Sequence, residues 1–170
     1  MAEPFVSQAE LLGEMIARRG WTAVHGGGSG GVMGAVTRGA QRVGGAVTGI
    51  IPMFMVERGW LNDDLDDVVY TADMAQRKQL LADEAAAMVV MPGGIGTLDE
   101  FFQAVTLRQL GFNDAPIIVV NIDGFFDHII AFLHRAAECR MMRGNSLDDL
   151  FTVVNDAPAA IAALDRLCPA

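Results

Sequence analysis

The pattern in this sequence that most strongly suggests a chemical role is the segment PGGIGT at positions 92–97. This segment lies between an apolar run at 87–91 and a helix-type pattern at 97–110. Glycines let the backbone turn tightly and approach a ligand, and the free amides of the first helical turn then point towards an anion. The segment therefore predicts a phosphate-binding turn. It is not a Walker A motif, because no Gly-Lys-Ser/Thr follows.

Thr97 and Glu100 also allow a purely structural interpretation of this segment. The residues TLDE at 97–100 fit the capping-box pattern, in which the two side chains bond each other's backbone amides at a helix start. A capping box does not require the glycines that come before it. Those glycines favour a ligand-binding role for the turn.

A second glycine-rich segment, GGGSGG at 26–31, also joins a predicted strand to a predicted helix. It is looser than a dinucleotide-binding fingerprint and lacks the acidic residue of that motif. Arg77 and Lys78 follow in a helix predicted to begin near Asp73, and Lys78 is the only lysine of the chain. Neighbours on a helix point about 100° apart, so both can face one ligand only near the helix edge. Two solvated charges are the alternative.

Length and composition predict one soluble domain over residues 1–170. The apolar fraction is 52%, and the charged fraction of 19% lies below the globular average of about 25%. We expect part of this apolar surface to be buried between subunits. No apolar run reaches the roughly 18 residues that span a bilayer, and the N-terminus does not resemble a signal peptide. These features predict a cytoplasmic protein without a membrane partner.

The charged and metal-binding residue types argue against several functions. A net charge of −9 disfavours a nucleic-acid partner, which needs a basic surface. The acidic run at 62–67 lacks calcium-loop spacing and is predicted to be a solvated turn. Cys139 and Cys168 match no metal or redox spacing and are predicted to be buried thiols. We therefore expect neither a metal nor a cofactor.

Apolar periodicity predicts strands that alternate with helices along the chain, which is typical of a parallel sheet covered on both faces. The fold class is therefore α/β, a Rossmann-like three-layer sandwich with a mostly parallel sheet. The predicted strands lie at 21–25, 46–51, 68–70, 87–91, 116–121 and 151–154. Helices are predicted at 4–19, 32–42, from 73, at 97–110 and 125–140, and after Pro158.

Together these residues resemble the lonely-guy (LOG) family of cytokinin riboside 5′-monophosphate phosphoribohydrolases, many of which carry the label "lysine decarboxylase-like". The segment 92–100, PGGIGTLDE, fits the family signature PGGxGTxxE. MAQRK at 74–78 fits its companion motif, with Ala75 where histidine is usual. GGG at 26–28 with GVMG at 31–34 fits the first loop, and TLRQLG at 106–111 fits the segment after the signature.

The resemblance implies roles for individual residues. Arg77 and Glu100 would be the catalytic pair, and a homodimer or larger homo-oligomer would form. The residues implied to bind the substrate are Lys78, Gly94, Ile95, Gly96, Thr97 and Thr106.

The chain departs from the resemblance at two places. Many relatives have a substrate-contacting glutamate a few residues beyond Pro52, where this chain has Gly59, with Glu57 nearby. Relatives also begin with a strand before the first helix. We expect this sheet to lack that usual first strand.

Two functions follow from these observations. The first is hydrolysis of the N-glycosidic bond of a nucleoside 5′-monophosphate, either a cytokinin riboside 5′-monophosphate or AMP, to free base and ribose 5-phosphate. The alternative is a non-catalytic binding or carrier protein for a phosphate-bearing ligand, a nucleotide or the molybdenum cofactor, because such carriers share similar glycine loops. Lysine decarboxylation is disfavoured because no pyridoxal-phosphate motif surrounds Lys78.

Overall fold

The computed structural model describes residues 2–83, 85–142 and 146–168. The chain divides into two compact units, Met1–Ala85 and Ala86–Ala170. Across the described residues, eight α-helices alternate with six β-strands, and every strand pairing is parallel. The predicted α/β class with parallel strands is therefore confirmed, and the pairings form two three-stranded sheets, one in each unit.

The first unit has the sheet order β1-β2-β3, so β2 is its central strand. Ala23 lies opposite Val47, and Thr48 lies opposite Asp67. Its elements in chain order are α1 (Glu3–Arg18), β1 (Ala23–His25), α2 (Gly31–Gln41), β2 (Val47–Pro52), α3 (Met53–Glu57), β3 (Asp67–Thr71) and α4 (Met74–Asp83).

Helices α1 and α2 pack with their backbones in close contact. A Cβ atom on Gly13 would overlap the carbonyl oxygen of Val36, and one on Gly39 would overlap that of Glu10. Only glycine permits such an approach. At the solvent edge of this contact Arg42 Nη2 lies 2.8 Å from Glu10 Oε2, and the hydrogen bond from Arg42 is the main cause that lowers the pKa of Glu10.

The second unit has the sheet order β4-β5-β6. Its central strand β5 is buried along its whole length. The elements in chain order are β4 (Met88–Val90), α5 (Ile95–Gln109), β5 (Ile117–Val120), a short 3₁₀ turn (Ile122–Gly124), α6 (Asp127–Glu138), α7 (Leu147–Leu150), β6 (Thr152–Val154) and α8 (Ala157–Leu167).

The core of the second unit is aromatic and aliphatic. Phe101 of α5 and Phe151, which precedes β6, pack edge to face with their ring centroids 5.4 Å apart. Around them lie Val90, Val105 and Leu133, all buried. This packing holds α5 against the sheet, so the core fixes the position of the helix that follows the turn at 92–94, the PGG turn.

The structure differs from the sequence predictions in small elements and at both cysteines. Helices α3 and α7 have five and four residues, too few for a periodic apolar face to reveal them. The prediction of two buried thiols is wrong: Cys139 is exposed because it is the residue at which the chain leaves α6, and Cys168 is only partly buried. The acidic side chains of the 62–67 turn are exposed as predicted, whereas Asn62 is buried.

In the part of the chain that the structure describes, no helix is long and apolar enough to cross a membrane.

Candidate active site

The PGG turn leads from β4 into the N-terminus of α5. Gly94 is the N-cap residue of α5, with an extended backbone at φ −94° and ψ −152°, and the helix begins at Ile95. Thr97 is therefore the third residue of the helix and cannot be its cap. The capping-box interpretation of Thr97 and Glu100 is wrong, because it placed the helix start at Thr97.

The glycines of this turn differ in what the fold requires of them. A Cβ atom on Gly93 would overlap the side chain of Thr97. A Cβ atom on Gly94 or Gly96 would meet open space among the described residues, and neither glycine has a positive φ. Internal packing therefore does not explain Gly94 and Gly96. Glycine at these two positions leaves the first amides of α5 open to a ligand.

The remaining predicted residues of the second unit lie along α5. Glu100 is partly buried, and its neighbour Asp99 is exposed. Ile95 is 86% exposed at the first helical position. Thr106 is also exposed, and its hydroxyl donates a hydrogen bond of 2.7 Å to the carbonyl oxygen of Phe102. The Thr106 hydroxyl thus already has a partner within its own helix.

Arg77 lies in α4 of the first unit and is only 7% exposed. Its Nε donates a hydrogen bond of 3.2 Å to the carbonyl oxygen of Ile50 in the central strand. Its guanidinium packs so closely on Gly26 that a Cβ atom there would overlap Nη2. Lys78 is partly buried. The alternative of two solvated charges is therefore wrong for Arg77, which packs against the glycine-rich segment at 26–31, the first glycine loop in chain order.

The guanidinium of Arg77 faces a cavity of about 340 Å³ within the first unit. Trp60, Met33 and Met55 all line this cavity, although none of them was predicted from the sequence to belong to a site. An aromatic residue directly after a helix-ending glycine was the one local sign that could have drawn attention to Trp60. The full lining is Gly26, Gly28, Ser29, Gly30, Met33, Met55, Gly59, Trp60 and Arg77.

Gly59, at the position where the resemblance predicts a glutamate, lines the cavity with a positive φ of 73°. Glu57 is exposed and is not among the lining residues. A glutamate at position 59 would be strained in this left-handed conformation, which favours glycine. The described lining of this cavity therefore has glycine at this position instead of the carboxylate that the resemblance predicts.

His25, at the end of β1, holds the first glycine loop in place through hydrogen bonds. Its Nδ1 accepts a hydrogen bond of 3.1 Å from the Gly27 amide, and its Nε2 lies 2.9 Å from Thr37 Oγ1. Thr37 in turn donates to the carbonyl oxygen of Met33 at 3.2 Å. Accepting at Nδ1 requires a neutral imidazole. Burial, with a smaller effect of the Arg77 charge, lowers the pKa of His25 to about 4.

We expect this histidine to make stability depend on pH. Because the folded pKa is near 4 and the unfolded value is 6.5, the folded state binds fewer protons between these values. The free energy of unfolding of the protein should then fall by roughly 3 kcal/mol as the pH drops from 6.5 to 4. Urea unfolding across this range measures the slope. His25→Gln should flatten it, whereas His134→Gln at an exposed site should not, and an unchanged slope in His25→Gln would contradict the assignment.

Gly96→Ala separates the contribution of residue 96 to folding from its proposed contribution to phosphate binding. Alanine in α5 has space for its Cβ atom and should raise the free energy of unfolding by up to about 1 kcal/mol. The same Cβ atom should obstruct a phosphate at the helix start and weaken AMP binding by about 10-fold or more, equivalent to about 1.4 kcal/mol. Calorimetric titration and urea unfolding measure the two effects. Their opposite signs exclude a folding defect, and unchanged affinity would remove the glycine from the binding site.

Parallel strands that end in glycine-rich turns at helix N-termini define the Rossmann-like class of α/β proteins. Comparison with known proteins narrows this class. The family model described as "Possible lysine decarboxylase" matches residues 33–164. The chain belongs to this family, the LOG family that its motifs resemble.

Individual relatives agree with this assignment. The chain is 40% identical over 164 residues to the cytokinin riboside 5′-monophosphate phosphoribohydrolase of Mycobacterium tuberculosis, with 92% of this chain and 88% of that protein covered. The protein of the same name from Mycobacterium marinum is 40% identical over 147 residues, covering 86% of this chain and 79% of its own.

Among solved structures, the molybdenum cofactor binding protein of Rippkaea orientalis has the same fold. It matches with a TM-score of 0.75 at 20% identity, covering 98% of this chain and 89% of that one. At this identity the likeness concerns the fold alone.

Proposed function

We propose that this protein hydrolyses the N-glycosidic bond of a nucleoside 5′-monophosphate, a cytokinin riboside 5′-monophosphate or AMP, and releases the free base and ribose 5-phosphate. The observation that carries the proposal is the 40% identity, over most of the chain, to relatives named for this reaction. The names of these relatives favour a hydrolase over the decarboxylase of the family label. The segments at 74–78 and 92–100 that carry the family resemblance support the proposal, with Ala75 where histidine is usual.

The proposed binding residues are those of the PGG turn and its helix. The open amides at Gly94, Ile95 and Gly96 suit the phosphate, since the helix N-terminus carries a partial positive charge. Thr97 and Lys78 complete the proposed contacts with the phosphoribosyl group. Thr106 would contact the substrate through its exposed face.

Glu100 and Arg77 are the proposed catalytic residues. Cleavage of an N-glycosidic bond develops positive charge on the ribose, which a carboxylate stabilises while it orients the attacking water. Glu100 is partly buried, so its charge is less screened than that of the exposed Asp99. Arg77 suits anion binding because its guanidinium is held rigidly by Ile50 and Gly26.

The decisive experiment is incubation of the protein with AMP and, separately, with a cytokinin riboside 5′-monophosphate. Release of ribose 5-phosphate together with free base in equal amounts supports the proposal. Tight binding of either nucleotide without release would overturn it. That result would favour the alternative, a non-catalytic carrier of a phosphate-bearing ligand, which is supported by the fold shared with a molybdenum cofactor binding protein.

We also propose that the protein is cytoplasmic and forms a homodimer or larger symmetric assembly. In the second unit Phe112, Phe132 and Met141 are 77%, 64% and 81% exposed, which is a large apolar surface for a monomer to leave in water. Light scattering at micromolar protein concentration should therefore give at least twice the 18.2 kDa chain mass. A monomeric mass at this concentration would contradict the assembly.

A further inference from the structure

Trp60 presents a large aromatic surface at the cavity of the first unit. The indole is 48% exposed and shares the cavity lining with Met33 and Met55. Met33 is 37% exposed and Met55 is partly exposed. Three large apolar side chains around one solvent-filled space are typical of a ligand pocket, in which apolar walls surround a few polar groups.

The position of the Trp60 ring is fixed by its own segment. Gly59 has a φ of 73° and ends helix α3, so the Trp60 amide donates to the carbonyl oxygen of Met55 at 3.1 Å. The guanidinium of Arg58 lies 5.3 Å from the centre of the Trp60 ring and 5.4 Å from that of Phe54. The ring is therefore oriented before any ligand arrives.

The segment after Trp60 is attached to the first glycine loop. Leu61 forms an antiparallel bridge with Gly28, and the Asn62 amide donates to the carbonyl oxygen of Gly27 at 2.8 Å. The indole is thus held next to the loop on which Arg77 packs. An apolar wall and a buried cation face the same cavity.

We propose that Trp60 is a specificity-determining residue that stacks on the base of the nucleotide, with Met33 and Met55 contacting the edge of the base. This inference rests on the proposed function. The hydrogen-bond donors of the cavity lining belong to Arg77, Ser29 and the glycine backbone. The side chains of Trp60, Met33 and Met55 do not suit a phosphate, because thioethers and an indole face offer no strong hydrogen-bond donors. A flat heteroaromatic base fits them, since every base has a π face that stacks on an aromatic ring.

The kinetic test compares two tryptophans of the chain. Trp60→Ala should raise KM for AMP by roughly 5- to 100-fold, the range found when a base-stacking aromatic is removed, with a smaller change in kcat. Trp60→Phe should restore most of the affinity. Trp21→Ala is the matched control, because Trp21 also packs under an arginine at 5.7 Å but does not line the cavity. Equal KM values in Trp60→Ala and wild type would overturn the proposal.

A second test measures the binding of AMP independently of its turnover. The chain has two tryptophans, so in Trp21→Phe the fluorescence comes from Trp60 alone. AMP should quench this fluorescence, and ribose 5-phosphate, which lacks a base, should not. Quenching by both ligands would place the sugar phosphate at Trp60. Quenching by neither ligand would place Trp60 outside the binding site. Either result overturns the inference. If AMP quenches but no ribose 5-phosphate is ever released, the stacking role stands and the proposed hydrolysis fails.

Discussion

Replacing Glu100 with glutamine is expected to lower turnover by about two to three orders of magnitude, comparable to the loss of one preorganised electrostatic group. Glutamine keeps the size and the helix propensity of glutamate, so α5 should remain intact. The neutral amide can no longer stabilise positive charge on the ribose. Affinity for AMP should therefore stay close to that of the wild type, while kcat for ribose 5-phosphate release falls.

Asp99→Asn is the matched control for this change. It removes the same charge one residue earlier in α5, from an exposed side chain about 100° around the helix. Turnover in this variant should stay within a few-fold of the wild type, since the carboxylate that is lost faces another direction. A fully active Glu100→Gln protein would reject the catalytic assignment of Glu100.

Replacing Arg77 with alanine is expected to weaken AMP binding as well as turnover, with kcat/KM lower by about 100-fold or more. The guanidinium is a buried cation at the cavity, so its removal affects the bound substrate before the chemical step. This combined loss distinguishes Arg77→Ala from Glu100→Gln. Calorimetric titration with AMP and the rate of ribose 5-phosphate release measure the two components.

Because Arg77 also bonds the carbonyl oxygen of Ile50, its truncation could cost about 1–3 kcal/mol of stability. Gly26→Ala provides a second route to the same test, since the added Cβ atom must displace the guanidinium while the charge is kept. It should reproduce much of the loss in binding. Arg38→Ala removes an exposed arginine that pairs with Glu10 and serves as the control. Normal affinity in a folded Arg77→Ala protein would remove Arg77 from the site.

Local sequence patterns were sufficient to predict most of the secondary structure of this protein. Alternating apolar periodicity located all six strands and the longer helices, because these patterns depend on residues within one or two turns of each other. The glycines at 92–97 and the acidic Glu100 identified the family and its chemistry without coordinates. The prediction of a helix start at Thr97 was two residues late, since residue preferences favour threonine as a cap while the turn itself made Gly94 the N-cap.

Tertiary packing alone decided the environments of the functional groups. Arg77 is buried because it packs on Gly26, some fifty positions earlier in the chain, and no local pattern encodes that contact. His25 is neutral because the fold buries it and gives its Nδ1 an amide donor. Trp60 lines the cavity because Gly59, in the left-handed conformation, turns the chain and Leu61 forms a bridge with Gly28 of the first glycine loop. The burial of a side chain, the pKa of a titratable group and the shape of a cavity all depend on residues that are distant in sequence. They are therefore set only when the chain has folded.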